Sequence, residues 1–182
     1  MLSFFEGEKM SAITSLLVCM ILSMNQEYQT KIELPSSRHE ELFQLMDEKP
    51  AYHVPVEYKV FLEKEARLNR IPYEKFERLC QSESDFRNIS KPHYPGSKYH
   101  DRGIFQFNSK WQWWFERALG KFDPMKPEEA AGKAALWFRI CYNELGSWYL
   151  AALAFKCGLN GWKNAPDEYK RIARWIDTGK GR

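Results

Sequence analysis

The stretch from Cys80 to Trp111 carries the residues best suited to acid–base chemistry. A helical pattern ends in Glu83-Ser84, a polar loop follows, and residues 101–108 then read DRGIFQFN. Glu83 follows one turn after the apolar face of its helix, which is formed by Phe76, Leu79 and Cys80. Burial disfavours the charged form of a carboxylic acid, and a neutral acid is what a proton donor requires. The pattern predicts one general acid beside a glycine-led turn rich in amide side chains.

Helices are predicted to position this acid. The periodicity of apolar residues becomes helical at Val56, and no strand alternation persists in the rest of the chain. Proline and glycine mark the boundaries, with Pro127 at the first position of a long helix and Gly146 at its end. We therefore predict an all-α domain. Its helices lie within 56–70, 72–84, 109–119, 127–145, 148–156 and 165–177, and a polar loop spans 91–98.

The N-terminal region is predicted to lie outside this domain. Residues 11–24 read SAITSLLVCMILSM, which is shorter than the roughly 20 apolar residues of a membrane span and is typical of an export signal. We predict a signal peptide or an uncleaved membrane anchor over 1–24, with a buried or partner-seeking helix as the alternative. A linker over 25–55, containing a short helix at 38–47, leads into the domain at 56–178.

Composition narrows the classes of function. The chain has 182 residues, of which 44% are hydrophobic, as expected for one globular domain, and we expect a monomer. A net charge of +3, with basic and acidic residues interleaved, is too small to argue for nucleic-acid binding, so no nucleic-acid partner is expected, and it weakly favours an anionic polymer. The aromatic fraction is 15%, so some aromatic side chains are available to stack on sugars.

The four cysteines do not form a recognisable metal or disulfide pattern. They show no CxxC pair and no ligand-type spacing with the four histidines, so no metal site is expected. Cys19 lies in the leader-like segment. The remaining three, Cys80, Cys141 and Cys157, are interpreted as buried thiols, and a Cys141–Cys157 bridge stays open for an exported protein.

Four ordered motifs resemble those of the soluble lytic transglycosylases of the goose-lysozyme-like superfamily. The resemblance covers roughly Val56–Ile176. Glu83-Ser84 looks like the catalytic Glu-Ser pair of that family, and Gly103–Gln106 looks like its Gly-Leu-Met-Gln turn. Ala151–Gly158 is similar to the segment Ala-x-x-Tyr-Asn-Ala-Gly, and Tyr169 is similar to the tyrosine of a late Tyr-Val-x-x-Ile motif.

Two residues depart from this pattern. Phe155 stands where the family has Tyr, and Lys156 stands where it has Asn. The first change removes a hydrogen-bond donor that the family places near its acid, and the second removes an amide contact to a turn or to substrate. These changes imply an altered substrate preference or a weakened enzyme.

The resemblance implies a lysozyme-like helical fold and cleavage of peptidoglycan in the cell envelope. Glu83 would protonate the β-1,4 glycosidic oxygen between N-acetylmuramic acid and N-acetylglucosamine. It would then accept a proton from the C6 hydroxyl, which closes a 1,6-anhydro ring. This route needs no cofactor and no second carboxylate.

The resemblance also implies a set of residues that orient the acid or contact the glycan. They are Ser84, Gln106, Asn108, Phe155, Tyr169 and Trp162. Several have structural alternatives, namely a backbone-bonded hydroxyl for Ser84, a turn amide for Gln106, and packing for Tyr169 and Trp162. At least one of Trp111, Trp113 and Trp114 must be exposed or line a groove, because one helix face cannot hold all three.

Three alternatives remain open. Asp101 could act as a second carboxylate, which would make the enzyme an inverting hydrolase. The fold could instead serve a non-catalytic glycan-binding protein, for which the residues at 155 and 156 are the main support. A plain helical interaction domain would leave Glu83 exposed and far from Gln106.

Overall fold

The computed structural model describes residues 54–181, and this part of the chain is mainly helical. The helices are α1 (Val56–Leu68), α2 (Tyr73–Ser84), α3 (Gln112–Leu119), α4 (Pro127–Leu145), α5 (Trp148–Cys157) and α6 (Asp167–Thr178), with short 3₁₀ turns at Ser109–Trp111 and Trp162–Asn164. This confirms the predicted helical fold class. The predicted export segment, the short helix at 38–47 and Cys19 lie outside the described residues.

The core forms where the long helix α4 packs against α1 and α5. Helix α6 packs against α5 and α2, and α2 also contacts α1. Small residues allow these close approaches, since the alanines of α4 and α5 that face the core are fully buried: Ala130, Ala131, Ala134, Ala135, Ala151, Ala152 and Ala154. The last turns of α2 and α5 and the beginning of α6 are thereby brought to the same part of the molecule.

Helix boundaries follow the proline and glycine signals, and the start of α6 is shifted. Pro127 opens α4, and Gly146, in the left-handed conformation, ends it by donating its backbone N–H to the carbonyl of Tyr142. Helix α6 begins at Asp167, two residues later than predicted, because the residue before a proline is driven out of the helical region. Ala165 is accordingly extended, with ψ 136°, ahead of Pro166.

A small antiparallel sheet replaces part of the region predicted as loop. Strand β1 (Ser90–Pro92) pairs with β2 (His100–Arg102), and β2 pairs with β3 (Phe107–Asn108). The register places Asp101 opposite both Lys91 and Asn108. The assignment of the whole of 91–98 to a loop was therefore wrong at its first two residues. Strands of two or three residues are too short to show a period-two pattern.

The aromatic helix α3 presents both buried and exposed indoles, as predicted. Trp114 is buried and meets the Trp137 ring of α4 edge-on at 5.2 Å between centroids, whereas Trp113 is 52% exposed. Among the described cysteines, Cys80, Cys141 and Cys157 are all free thiols, which leaves no Cys141–Cys157 bridge. Cys80 and Cys141 are buried as predicted, whereas Cys157 is only partly buried, because it lies at the last position of α5. None of the helices between residues 54 and 181 is long and apolar enough to cross a membrane.

Candidate active site

Glu83 occupies the last turn of α2, at the edge of the core. The apolar residues one turn earlier, Leu79 and Cys80, are fully buried, and the Glu83 side chain is only 14% exposed. The helix ends directly afterwards because Asp85 and Phe86 both take the left-handed conformation, with φ 52° and 59°. This reversal turns the chain away and leaves Glu83 at the end of the helix.

Lys156 forms an ion pair with Glu83. The Lys156 Nζ lies 2.7 Å from Glu83 Oε1, and the lysine side chain is only 11% exposed. Lys156 belongs to the last turn of α5, and its ammonium also lies 5.7 Å from the centroid of the Tyr169 ring on α6. Three helices therefore contribute to the surroundings of the acid. The sequence singled out Lys156 as a departure from the family pattern, but it did not predict this contact.

Ser84 ties the end of α2 to the glycine-led turn. Its hydroxyl donates a 2.8 Å hydrogen bond to the backbone carbonyl of Ile104, and the side chain is 4% exposed. The thiol of Cys80 lies 3.7 Å from the same carbonyl oxygen. A hydroxyl that is buried and bonded in this way fixes where the neighbouring Glu83 stands relative to the turn.

The turn at 103–106 depends on a glycine and an amide. Gly103 has φ +77°, and a Cβ atom there would lie 1.8 Å from the carbonyl oxygen of Pro124. Gln106 also has a positive φ, and its Nε2 donates to the carbonyls of Gly103 at 2.6 Å and Ile89 at 3.3 Å. Its Oε1 is buried and has no partner among the described residues. The Gln106 amide thus supports the turn from within.

Asn108 and Asp101 form a polar group on the small sheet. The Asn108 Nδ2 donates to Asp101 Oδ1 at 2.8 Å, and the Asn108 Oδ1 accepts from the backbone N–H of Lys110 at 2.9 Å, which caps the following 3₁₀ turn. His93 Nδ1 lies 2.9 and 3.0 Å from the two carboxylate oxygens of Asp101. Asp101, 15% exposed at its side chain, is therefore engaged by two neighbouring side chains.

The His93–Asp101 contact predicts a pH effect on stability. The hydrogen bond with Asp101 raises the pKa of His93 above its ordinary 6.5, so the folded chain binds this proton more tightly than the unfolded chain. The stabilisation is fully present below the pKa of the unfolded state and is lost as pH rises through the raised folded value. We expect the Tm of the full chain to fall between about pH 6 and pH 8 more steeply than that of His93→Gln. Equal slopes in thermal unfolding would contradict this linkage.

The remaining predicted residues lie on α5, α6 and the turn between them. Phe155 packs within the core, with its ring centroid 6.5 Å from Phe105 and 6.2 Å from Phe138. Trp162 is partly buried in a 3₁₀ turn. The preceding Gly161 approaches α5 so closely that a Cβ would lie 2.1 Å from the carbonyl oxygen of Cys157, so this turn lies directly against the helix end that carries Lys156.

A comparison with models of protein families shows to which family the chain belongs. A family model described as the transglycosylase SLT domain matches residues 61–177. The chain belongs to the transglycosylase SLT domain family. Comparisons with curated proteins and with solved structures gave no match. Members of the SLT family are lytic transglycosylases, which are lyases acting on peptidoglycan, so the chain is an enzyme of this class that acts on glycan of the cell envelope.

The SLT match spans all the elements that surround Glu83. Ser84, the residue after Glu83, bonds to the turn that contains Gln106, and Lys156 pairs with Glu83 and lies near the Tyr169 ring. Asn108 instead engages Asp101 on the sheet. Within residues 54–181, no group of three or more His, Cys, Asp or Glu side chains is arranged to hold a metal ion. The chemistry that these SLT-domain residues offer is proton transfer.

Proposed function

We propose that the enzyme cleaves the β-1,4 bond between N-acetylmuramic acid and N-acetylglucosamine with Glu83 as its single acid and base. This proposal rests on the position of the Glu83 side chain. It stands largely covered at the end of α2, is held through Ser84 and Lys156, and adjoins the turn of the second family motif. Such a site can hold a proton donor against a glycosidic oxygen while limiting access of water.

In the first step, neutral Glu83 donates its proton to the glycosidic oxygen. The bond between that oxygen and C1 of the muramyl residue breaks, and an oxocarbenium-like transition state develops at C1. In the second step, the Glu83 carboxylate takes the proton of the C6 hydroxyl as the C6 oxygen bonds to C1. The product carries a 1,6-anhydro ring, Glu83 is again protonated, and no water is consumed.

The supporting residues differ in their contacts, and three kinds of role follow from them. Ser84 and Gln106 act on the position of the acid, because their polar atoms bond to the carbonyls of Ile104, Gly103 and Ile89. Tyr169 and Trp162 are the proposed contacts to substrate or to Glu83, since Tyr169 adjoins Lys156 and Trp162 lies in the turn after α5. Phe155 would shape the site through packing.

The sequence left open a hydrolase in which Asp101 acts as a second carboxylate. The contacts of Asp101 in the structure give this alternative less support. A general base for water needs a carboxylate that can accept a proton from it. The carboxylate of Asp101 already accepts hydrogen bonds from Asn108 and lies against His93. Its contacts suit a structural role in the sheet.

Digestion of peptidoglycan by the full chain in heavy-oxygen water separates the two reactions. We expect muropeptides with anhydro ends and without the heavy isotope, because the C6 hydroxyl and not water attacks C1. A hydrolase would give reducing ends that carry heavy oxygen. Asp101→Asn should still form anhydro products, and loss of all products in that variant would return Asp101 to the reaction.

A further inference from the structure

The pairing of Lys156 with Glu83 gives this enzyme a charged group on its acid where the family pattern has a neutral amide. Building on the proposed function, we propose that Lys156 is a positioning residue that holds Glu83 through Oε1 and sets the upper pH limit of the acid step. Its Nζ contacts Oε1 at 2.7 Å, so the transferred proton is expected on Oε2.

The burial and the contacts of Lys156 suit a residue that acts through Glu83. Its side chain is 11% exposed, its ammonium is bonded to the carboxylate on one side, and the Tyr169 ring lies 5.7 Å away on another. A lysine side chain loses considerable rotamer freedom when it is fixed, and two partners from different helices fix this one. The arrangement orients the carboxylate of Glu83.

The Lys156 ammonium and the burial of Glu83 favour opposite protonation states of the Glu83 carboxyl group. Burial favours the neutral acid, whereas a cation in contact with Oε1 favours the carboxylate. When Glu83 donates its proton, the carboxylate that forms is stabilised by Lys156, which assists cleavage of the glycosidic bond. The same stabilisation makes the neutral form scarcer as pH rises. Lys156 therefore restricts activity to a lower pH range than an asparagine would.

Two cysteines also lie near this pair. Cys80 on α2 and Cys157 on α5 stay neutral thiols over the relevant range, because burial raises the pKa of Cys80 and raises the pKa of Cys157 to about 11. Tyr169 faces the ammonium from α6. The turn at 103–106 contributes glycine, isoleucine, phenylalanine and glutamine, none of which titrates.

The test is the pH profile of kcat for the full chain and two substitutions at this position. Lys156→Asn introduces the residue of the family pattern, and Lys156→Arg keeps the charge. We expect the alkaline limb of Lys156→Asn to move upward by about one pH unit. Lys156→Arg should keep the limb of the unmodified enzyme.

A matched control is the pair formed by Lys75 and Asp177. It is likewise a partly buried lysine–carboxylate contact, at 2.6 Å, but it joins α2 to α6 rather than to α5 and involves the opposite end of α2. Lys75→Gln should lower Tm without moving either limb of the profile. If Lys156→Asn likewise lowers Tm and leaves the alkaline limb in place, Lys156 is only structural and the proposal is overturned.

A second readout separates this proposal from the proposed function. Carbon-13 NMR of glutamate-labelled protein follows the Glu83 carboxyl, which Glu83→Gln identifies by loss of its signal. We expect the pH response of the Glu83 signal to differ between the unmodified chain and Lys156→Asn, whether or not the enzyme turns over. Coincident titrations overturn it, whereas anhydro products formed by Glu83→Gln would overturn the proposed function and leave this comparison intact.

Discussion

Glu83→Gln is expected to lower the rate of muropeptide release by on the order of a thousandfold or more. A glutamine side chain has nearly the same shape, and its carbonyl oxygen can still accept the hydrogen bond of Lys156. It can neither donate the proton that the leaving oxygen needs nor accept one from the C6 hydroxyl. Both proton transfers are therefore lost together. The measurement is the initial rate of soluble muropeptide formation from purified peptidoglycan.

The matched control for this variant lies on the same helix. Glu74 is exposed in the first turn of α2, at the opposite end from Glu83. Glu74→Gln should keep the rate of the unmodified enzyme, and the Tm of Glu83→Gln should show that it is folded. A folded Glu83→Gln enzyme within about tenfold of the original rate would mean that another group supplies the proton.

Gly103→Val is expected to be the most damaging single change to the fold around the site. A Cβ at this position would lie 1.8 Å from the carbonyl oxygen of Pro124, and the backbone is in the left-handed region with φ +77°. Both backbone segments would have to move apart, which also displaces Ile104 from Ser84. We expect a loss of about 3 kcal/mol or more in the free energy of unfolding, together with loss of activity.

Gly146 provides the comparison that separates the effect of the close contact with Pro124 from the effect of the left-handed backbone conformation. It also has a positive φ, +67°, but no atom lies within 4 Å of a Cβ built there. Gly146→Ala should cost only about 1 kcal/mol, because it carries the conformational strain alone. Denaturant unfolding of both variants measures the difference. Equal losses for Gly103→Val and Gly146→Ala would show that the contact with Pro124 does not constrain the turn.

The helices and their order could be predicted because their signals are local. Apolar periodicity identified the buried face of α2, and Pro127 and Gly146 marked the ends of α4 where the structure has them. The same periodicity placed Glu83 one turn beyond the buried Leu79 and Cys80, and the side chain is indeed largely covered. These features depend on residues that are neighbours in sequence.

The contacts that define the site could not be predicted because they join distant parts of the chain. Lys156 lies 73 residues from Glu83, and the sequence pattern of α5 says nothing of what its last turn faces. Ser84 donates its hydrogen bond to a backbone carbonyl, and a contact of this kind cannot be recognised from the residue types in the sequence. The strands were missed because they are two or three residues long, and the left-handed Asp85 and Phe86 are not glycines.

In the proposed reaction, this SLT-domain enzyme makes 1,6-anhydro ends with Glu83 as its only acid and base. Its most direct test is mass spectrometry of peptidoglycan digested by the full chain and, in parallel, by Glu83→Gln. We expect muropeptides one water lighter than reducing-end products from the unmodified chain, and none above background from the variant. Reducing-end products alone, or anhydro products from both proteins, would contradict it.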